Sequence, residues 1–274
     1  MNRLLVLAPV WAWLALTLAA PLGILAAIAV AEPADGVPPF TLGLSLESLS
    51  TVLTDPLYRD ALLASLRVAA LTTLLCLVIG YPAALAIARA PARWRDGLLL
   101  ALMLPFWTGF LMRINAWIGL LADDGWLSAL AGWLAGEPVH LLYTEATLLL
   151  GMVYSYLPFM ILPLYANLAR LDPALTEASA DLGAPPWIGL VKVTLPLSVP
   201  GIAAGCALVF IPATGEFVIP ELLGGPGAQL AGRVLWAEFF ANRDWPMASS
   251  LAVVLLGLLL VIPAMGRRYL AGRG

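Results

Sequence analysis

Residues 61–88 read ALLASLRVAALTTLLCLVIGYPAALAIA, a run of 28 residues in which Arg67 alone is charged. A helix that crosses a bilayer needs about 20 mostly apolar residues, and more if tilted. This run is apolar on every side rather than along one stripe, the pattern of a helix facing lipid or other helices. Comparable runs at 4–30, 98–121, 144–168, 198–223 and 249–265 bring the expected spans to six. The short segments of alternating polarity that mark a membrane β-barrel do not occur. The expected fold class is all-α: one polytopic transmembrane domain over residues 1–274.

Composition excludes the soluble alternative. A soluble domain carries about 25% charged residues; here 11% are charged and 62% are hydrophobic, with a mean hydropathy of +0.94. So little charge does not cover a water-facing globule of this length. The first run invites a signal-peptide reading, with Asn2-Arg3 before it and Ala29-Val30-Ala31 at its end. A signal core is about 7–15 residues, so 4–30 is read as an uncleaved first helix.

Charge gives the expected orientation. Arg3, Arg89, Arg93, Arg95, Arg170, Lys192, Arg267, Arg268 and Arg273 fall on one side. The other side carries Arg59, Arg233 and Arg243 among Glu32, Asp35, Glu47, Asp55, Asp123, Asp124, Glu137, Glu238 and Asp244. Loops rich in Lys and Arg stay in the cytoplasm, so both termini are expected inside. Cys76 and Cys206 fall within spans, where a thiol behaves as a small hydrophobe, and no disulfide is expected. The lone histidine, His140, lies in an outer loop with Trp126 and Trp133, without the companions a metal site needs.

The inner segment 169–197 is the one sizeable cytoplasmic stretch. Asp172-Pro173 reads as an N-cap followed by a proline at the first helical position. A short helix is expected through Asp181-Leu182, broken at Gly183-Ala184-Pro185-Pro186, with a second amphipathic piece at 187–193 that stops before Pro196. An interfacial helix on lipid would suffer from Glu177 and Asp181, because inner leaflets are anionic. A protein partner is the better reading.

Glu177-Ala178-Ser179-Ala180-Asp181-Leu182-Gly183, then Val193-Thr194-Leu195-Pro196, resembles the EAA loop of ABC importer permeases. That pattern is E-A-A, three residues, Gly, nine residues, then hydrophobic-x-Leu-Pro, and Ser179 is the single departure. Leu104-Pro105-Phe106-Trp107-Thr108, Arg113-Ile114, Tyr156-Leu157-Pro158-Phe159-Met160 and the stretch 210–226 narrow the resemblance to the spermidine/putrescine branch, nearest to putrescine permeases. Arg233-Val234-Leu235-Trp236 and Asn242-Arg243-Asp244-Trp245-Pro246 complete it, so the likeness runs over residues 105–246.

The resemblance implies the MetI-like fold of a type I ABC importer permease in the bacterial inner membrane. It also implies partners: a homologous second permease, two ATPase subunits and a periplasmic polyamine-binding protein. Glu177, Ala178, Asp181, Gly183 and Pro196 would then form the coupling element that docks on the ATPase. The chain has no phosphate-binding G-x-x-x-x-G-K-[ST] motif. No cofactor is expected in it, ATP and magnesium belonging to the ATPase, and it is read as a transport subunit rather than an enzyme. Nucleic acid is not among the expected partners.

A polyamine is a polycation with a methylene spine, so its path calls for carboxylates and aromatic faces. Ionisable residues within spans are functional hypotheses by default. Glu216 leads, because Pro212, Gly215 and Pro220 around it are expected to break the helix beside a cavity. Two readings stay open for it: a pathway or gate carboxylate, or a counter-charge for Arg113. Glu221 either lines the outer end of the path or meets the interface, Trp107 is an aromatic wall or an interfacial tryptophan, and Tyr156 is a weaker aromatic candidate. Arg67 and Arg113 suit structural pairing, and Glu145 opens a span where water reaches it. A secondary transporter would show an internal repeat, and an intramembrane enzyme a metal or acid–base constellation; neither is found.

Overall fold

A computed structural model of the chain describes the backbone of residues 3–271 and the side chains of residues 7–261. Arg273, and the side chains of Arg3, Arg267 and Arg268 used above for orientation, lie outside the described residues. The chain is helical almost throughout. Among the described residues, sheet is confined to a hairpin of β1 (Glu32–Pro33) and β2 (Phe40–Thr41), with Glu32 opposite Thr41 and Pro33 opposite Phe40.

Three helices are long and apolar enough to cross a membrane unbroken: α1 (Arg3–Ala29), α3 (Pro56–Arg89) and α7 (Glu145–Leu168). Two further runs are bent. Ala92–Trp107 and Phe110–Ala135 meet at 86°, and Pro186–Leu197 and Val199–Thr214 meet at 66°. The first pair holds α4 (Ala92–Met103), a 3₁₀ turn at Leu104–Trp107, α5 (Phe110–Leu121) and α6 (Trp126–Ala135). The second holds α9 (Pro186–Gly189), a π-turn at Leu190–Thr194, α10 (Leu195–Leu197) and α11 (Val199–Thr214). α14 (Trp245–Ala271) begins with a shorter apolar stretch, Trp245–Val261, and the run 198–223 is interrupted after Thr214. Among the described residues, three helices therefore span by length and composition, or five if each bent pair is one span. The kinks have causes: Pro105 in the first break, Pro196 and Pro200 around the second.

The chain forms two compact units, Met1–Ala64 with Gln229–Gly274, and Ser65–Ala228. In the first, α2 (Glu47–Thr54), the start of α3, α13 (Ala231–Trp236) and α14 share a core of Val52, Tyr58, Leu62, Val234, Leu251 and Leu255. The Ser250 hydroxyl donates to the Ala29 carbonyl at 2.9 Å, tying α14 to α1. Glu238, read from sequence as one of the outer acids, is buried here. Tyr58 Oη and Asn242 Nδ2 each donate to one of its carboxylate oxygens at 2.8 Å. Buried polar groups need such partners, and two donors hold this one at the π-turn Ala237–Ala241.

The second unit is built around α7, whose Leu148, Met152, Met160, Ile161 and Leu164 are buried. Glycines bring its neighbours close. A Cβ at Gly205 of α11 would sit 2.7 Å from Met160 Sδ, and one at Gly201 2.7 Å from Asn167 Cβ. Small residues are how helices approach in lipid, where packing replaces the hydrophobic drive. Pro158 and Pro163 lie inside α7 without ending it, as spanning helices allow.

The segments read as loops are partly helical. Residues 32–60 hold the hairpin and α2, and residues 123–143 hold α6. His140 Nδ1 lies 2.8 Å from Asp123 Oδ1 across that second segment. No group of three or more metal-binding side chains occurs among the described residues.

Candidate functional site

The break expected around Glu216 is present. α11 ends at Thr214, Gly215 and Glu216 leave the helix, and a short α12 (Val218–Leu223) follows. Pro212 and Pro220 remove two backbone donors on either side. Glu216 is half-buried, with one oxygen accepting the Tyr156 hydroxyl at 2.6 Å and the other the Val218 N–H at 3.0 Å. Tyr156, on α7, is only 9% exposed. The two candidates that sequence placed sixty residues apart therefore form one charge-assisted contact, shorter than a neutral hydrogen bond.

Aromatic rings continue from that contact. Phe159, one turn along α7, lies 6.3 Å from the Tyr156 ring. It meets Phe106 edge-on at 5.7 Å. The Arg113 guanidinium sits 4.6 Å from the centre of the Phe106 ring and 5.9 Å from that of Phe110. Arg113 thus rests on aromatic faces, and among the described residues it makes no salt bridge with Glu216. The counter-charge reading of Glu216 loses its geometric basis. Sequence reasoning passed over Phe106, Phe110 and Phe159 as site residues. The Tyr156/Phe159 spacing of three on one helix was the available signal, because such residues share a face.

The other candidates sit differently. Trp107 closes the 3₁₀ turn after Pro105 and is 81% exposed, so it walls no enclosed space within this chain. Glu221 is exposed on α12. Arg67 pairs with Glu145 at 2.6 Å, an ion pair with both side chains more than half exposed.

The inner segment folds as a helix, a glycine stop and a second helix. In α8 (Pro173–Asp181), Asp172 Oδ1 accepts the Ala174 N–H at 3.0 Å, so Asp172 is the N-cap and Pro173 the first helical residue, as read from sequence. Gly183 takes a φ of +79°. Its N–H donates to Ala180 O at 2.8 Å and Ala184 N–H to Ser179 O at 3.0 Å, the paired bonds of a Schellman stop. Ser179, the departure from the motif, donates to Thr176 O and faces Gly189, where a Cβ would come within 2.9 Å of its hydroxyl. The close approach of the two segments leaves room for a glycine at 189 against the small side chain at 179.

The second helix does not stop before Pro196. It runs through Pro196 to Leu197 by way of a wider π-turn at Leu190–Thr194, where the Leu195 N–H donates to Leu190 O five residues back. Glu177, Ala178 and Asp181 are exposed on α8, next to Leu182 at 88% and Trp187 at 66% exposure.

The family model for binding-protein-dependent transport system inner membrane components matches residues 77–270. The spermidine/putrescine transport system permease protein PotB of Escherichia coli K12 is 41% identical over 217 residues, covering 77% of this chain and 79% of its own. The protein of that name from Haemophilus influenzae is 40% identical over 225 residues, covering 77% and 76%. A bacterial alginate ABC transporter in complex with its alginate pentasaccharide-bound periplasmic protein contains a chain of the same fold. That chain has a TM-score of 0.73 at 18% identity, with 96% of this chain and 93% of the other covered. Its low identity carries the fold alone. The chain belongs to the binding-protein-dependent transport system inner membrane components, in the family of the PotB permeases, and is an inner-membrane permease subunit of an ABC importer.

Proposed function

We propose that this subunit carries polyamines, spermidine or putrescine, across the inner membrane along a path that passes Glu216. The observation that carries the reading is a half-buried carboxylate at a helix break, held by Tyr156 and continued by aromatic rings. A protonated amine needs an anion to replace its lost hydration, and its methylene spine and charge both suit ring faces. The names of the PotB relatives support the same substrate class.

The working assembly in this reading holds a homologous second permease, two ATPase subunits and a periplasmic binding protein. Glu177, Ala178, Asp181, Gly183 and Pro196 belong to the coupling element, with the exposed face of α8 seated on the ATPase. Glu221 and Trp107 lie on the path only where the second permease completes it. The six apolar runs cross the membrane once each, with both termini in the cytoplasm. The functional test is ATP hydrolysis by the assembled complex. A polyamine-loaded binding protein raises the rate, and the empty binding protein or one loaded with an anionic solute does not. No stimulation by either polyamine contradicts the substrate class.

The orientation has its own check. With Cys76 and Cys206 replaced, cysteines at Gly36 and Glu137, both exposed in the segments placed outside, react in intact cells with an impermeant thiol reagent. Protection of both sites contradicts this orientation.

A further inference from the structure

The two halves of a cation site stand side by side in the second unit, and both are already occupied by the chain itself. The Tyr156 hydroxyl takes one oxygen of Glu216, and the Arg113 guanidinium takes the faces of Phe106 and Phe110. We propose that Arg113 is a specificity-determining residue: a tethered cation that fills the aromatic seat at rest and that an incoming polyamine ammonium must displace. The inference rests on the reading that Glu216 lies on the substrate path.

Three features favour a displaceable cation over a structural arginine. Charges drawn out of water are usually paired, whereas among the described residues the partly buried Arg113 makes no salt bridge. Its Nε is shut off from solvent and meets no acceptor, so the rings hold the guanidinium at the cost of an unmet donor. The seat itself is contiguous with the carboxylate. Phe106 touches Phe159, Phe159 lies against Tyr156, and Tyr156 bonds Glu216.

The seat also straddles a break between two helices. Phe106 belongs to the 3₁₀ turn at the 86° break and Arg113 to the first turn of α5, on opposite sides of that break. A change of bend there separates guanidinium from ring without unfolding either helix. A polyamine offers two or more ammonium groups, one for Glu216 and one for the ring face. A single-charge amine offers one, and Arg113 keeps the other seat against it.

Equilibrium binding of radiolabelled putrescine to the purified complex of both permeases and the ATPase, without binding protein, tests this. Arg113→Gln empties the seat of its competitor and is expected to tighten half-saturation about two- to thirtyfold, the range of one cation–π contact. Arg113→Lys keeps a cation and stays near wild type. In a Phe106→Leu background, Arg113→Gln brings no gain, because the shared ring is gone.

Unchanged or weaker binding in Arg113→Gln overturns the proposal. So does an equal gain in the Phe106→Leu background, which assigns Arg113 to through-space repulsion instead. Should Arg113→Gln not assemble, Arg113→Met fills the same volume without charge. Failure of both to assemble makes Arg113 structural and equally overturns the proposal. Glu216→Gln in the same assay separates the two readings. No loss of binding there sinks the pathway role of Glu216, whereas loss there with no gain in Arg113→Gln sinks this inference alone.

Discussion

Glu216→Gln lowers polyamine uptake by about ten- to a hundredfold, while the complex still assembles and still docks its binding protein. The substitution keeps the shape of the side chain and an oxygen for the Tyr156 hydroxyl or the Val218 N–H, so the helix break survives. What it removes is the negative charge. A hydrogen bond to a charged group contributes about 1.5–3 kcal/mol, which is the origin of the expected range. Tyr156→Phe supplies the control. It leaves the carboxylate charged and removes only its orienting bond, so uptake falls a few-fold at most, through the half-saturating concentration rather than the maximal rate. Uptake unchanged in Glu216→Gln removes the residue from the path. A loss of the subunit from the membrane in that variant assigns the carboxylate to folding instead.

The second large effect belongs to Gly183. A residue with a Cβ is strained at its φ of +79°, by about 1–2 kcal/mol, and a β-branched one more so. Open space surrounds the position, with nothing within 4 Å of where a Cβ would stand, so the strain at Gly183→Val comes from the backbone and not from a Cβ clash. The cost falls on the Schellman stop that ends α8 and turns the chain towards Pro185-Pro186. Transport is expected to be abolished and the ATPase lost on purification, with normal amounts of the permease in the membrane. Gly183→Asn, which tolerates the left-handed region, retains most of both. Wild-type ATPase recovery with Gly183→Val contradicts the docking role of this loop.

These two residues also show how much the amino-acid sequence revealed. The bilayer asks for long apolar runs, so the unbroken helices α1, α3 and α7 were legible from composition alone, whereas the bends that break two of the other runs were not. Asp172-Pro173 and Gly183 mark a helix start and stop by local chemistry, and the structure places both as expected. The break at Glu216 was legible for the same reason, from two prolines and a glycine close together. The partners of Glu216 and Arg113 were not. Both charges fall in predicted spans, and neutralising one with the other is the economical guess from a linear sequence. Only the folded chain shows that Tyr156 reaches Glu216 from α7 and that Phe106 reaches Arg113 across a 3₁₀ turn.

The helices α2 and α6 escaped the sequence reading for another reason. Prolines and acidic residues around them signal loops, whereas the burial of Val52 and of Ser128, whose hydroxyl donates to Leu121 O, is a tertiary fact. Pro196 misled in the opposite direction. A proline ends a regular α-helix, but this one continues through it by way of a π-turn.

The central claim, that this chain conducts polyamines as part of an ATP-driven importer, is tested most directly by uptake into proteoliposomes. These hold this subunit with its second permease and ATPase, the binding protein outside and ATP at the ATPase face. The binding protein and labelled putrescine or spermidine share one side of the membrane, and the label is expected to cross to the ATPase side with ATP and not without it. Leaving out this chain stops the transfer. ATP-driven transfer of a different solute, with neither polyamine transported, contradicts the account.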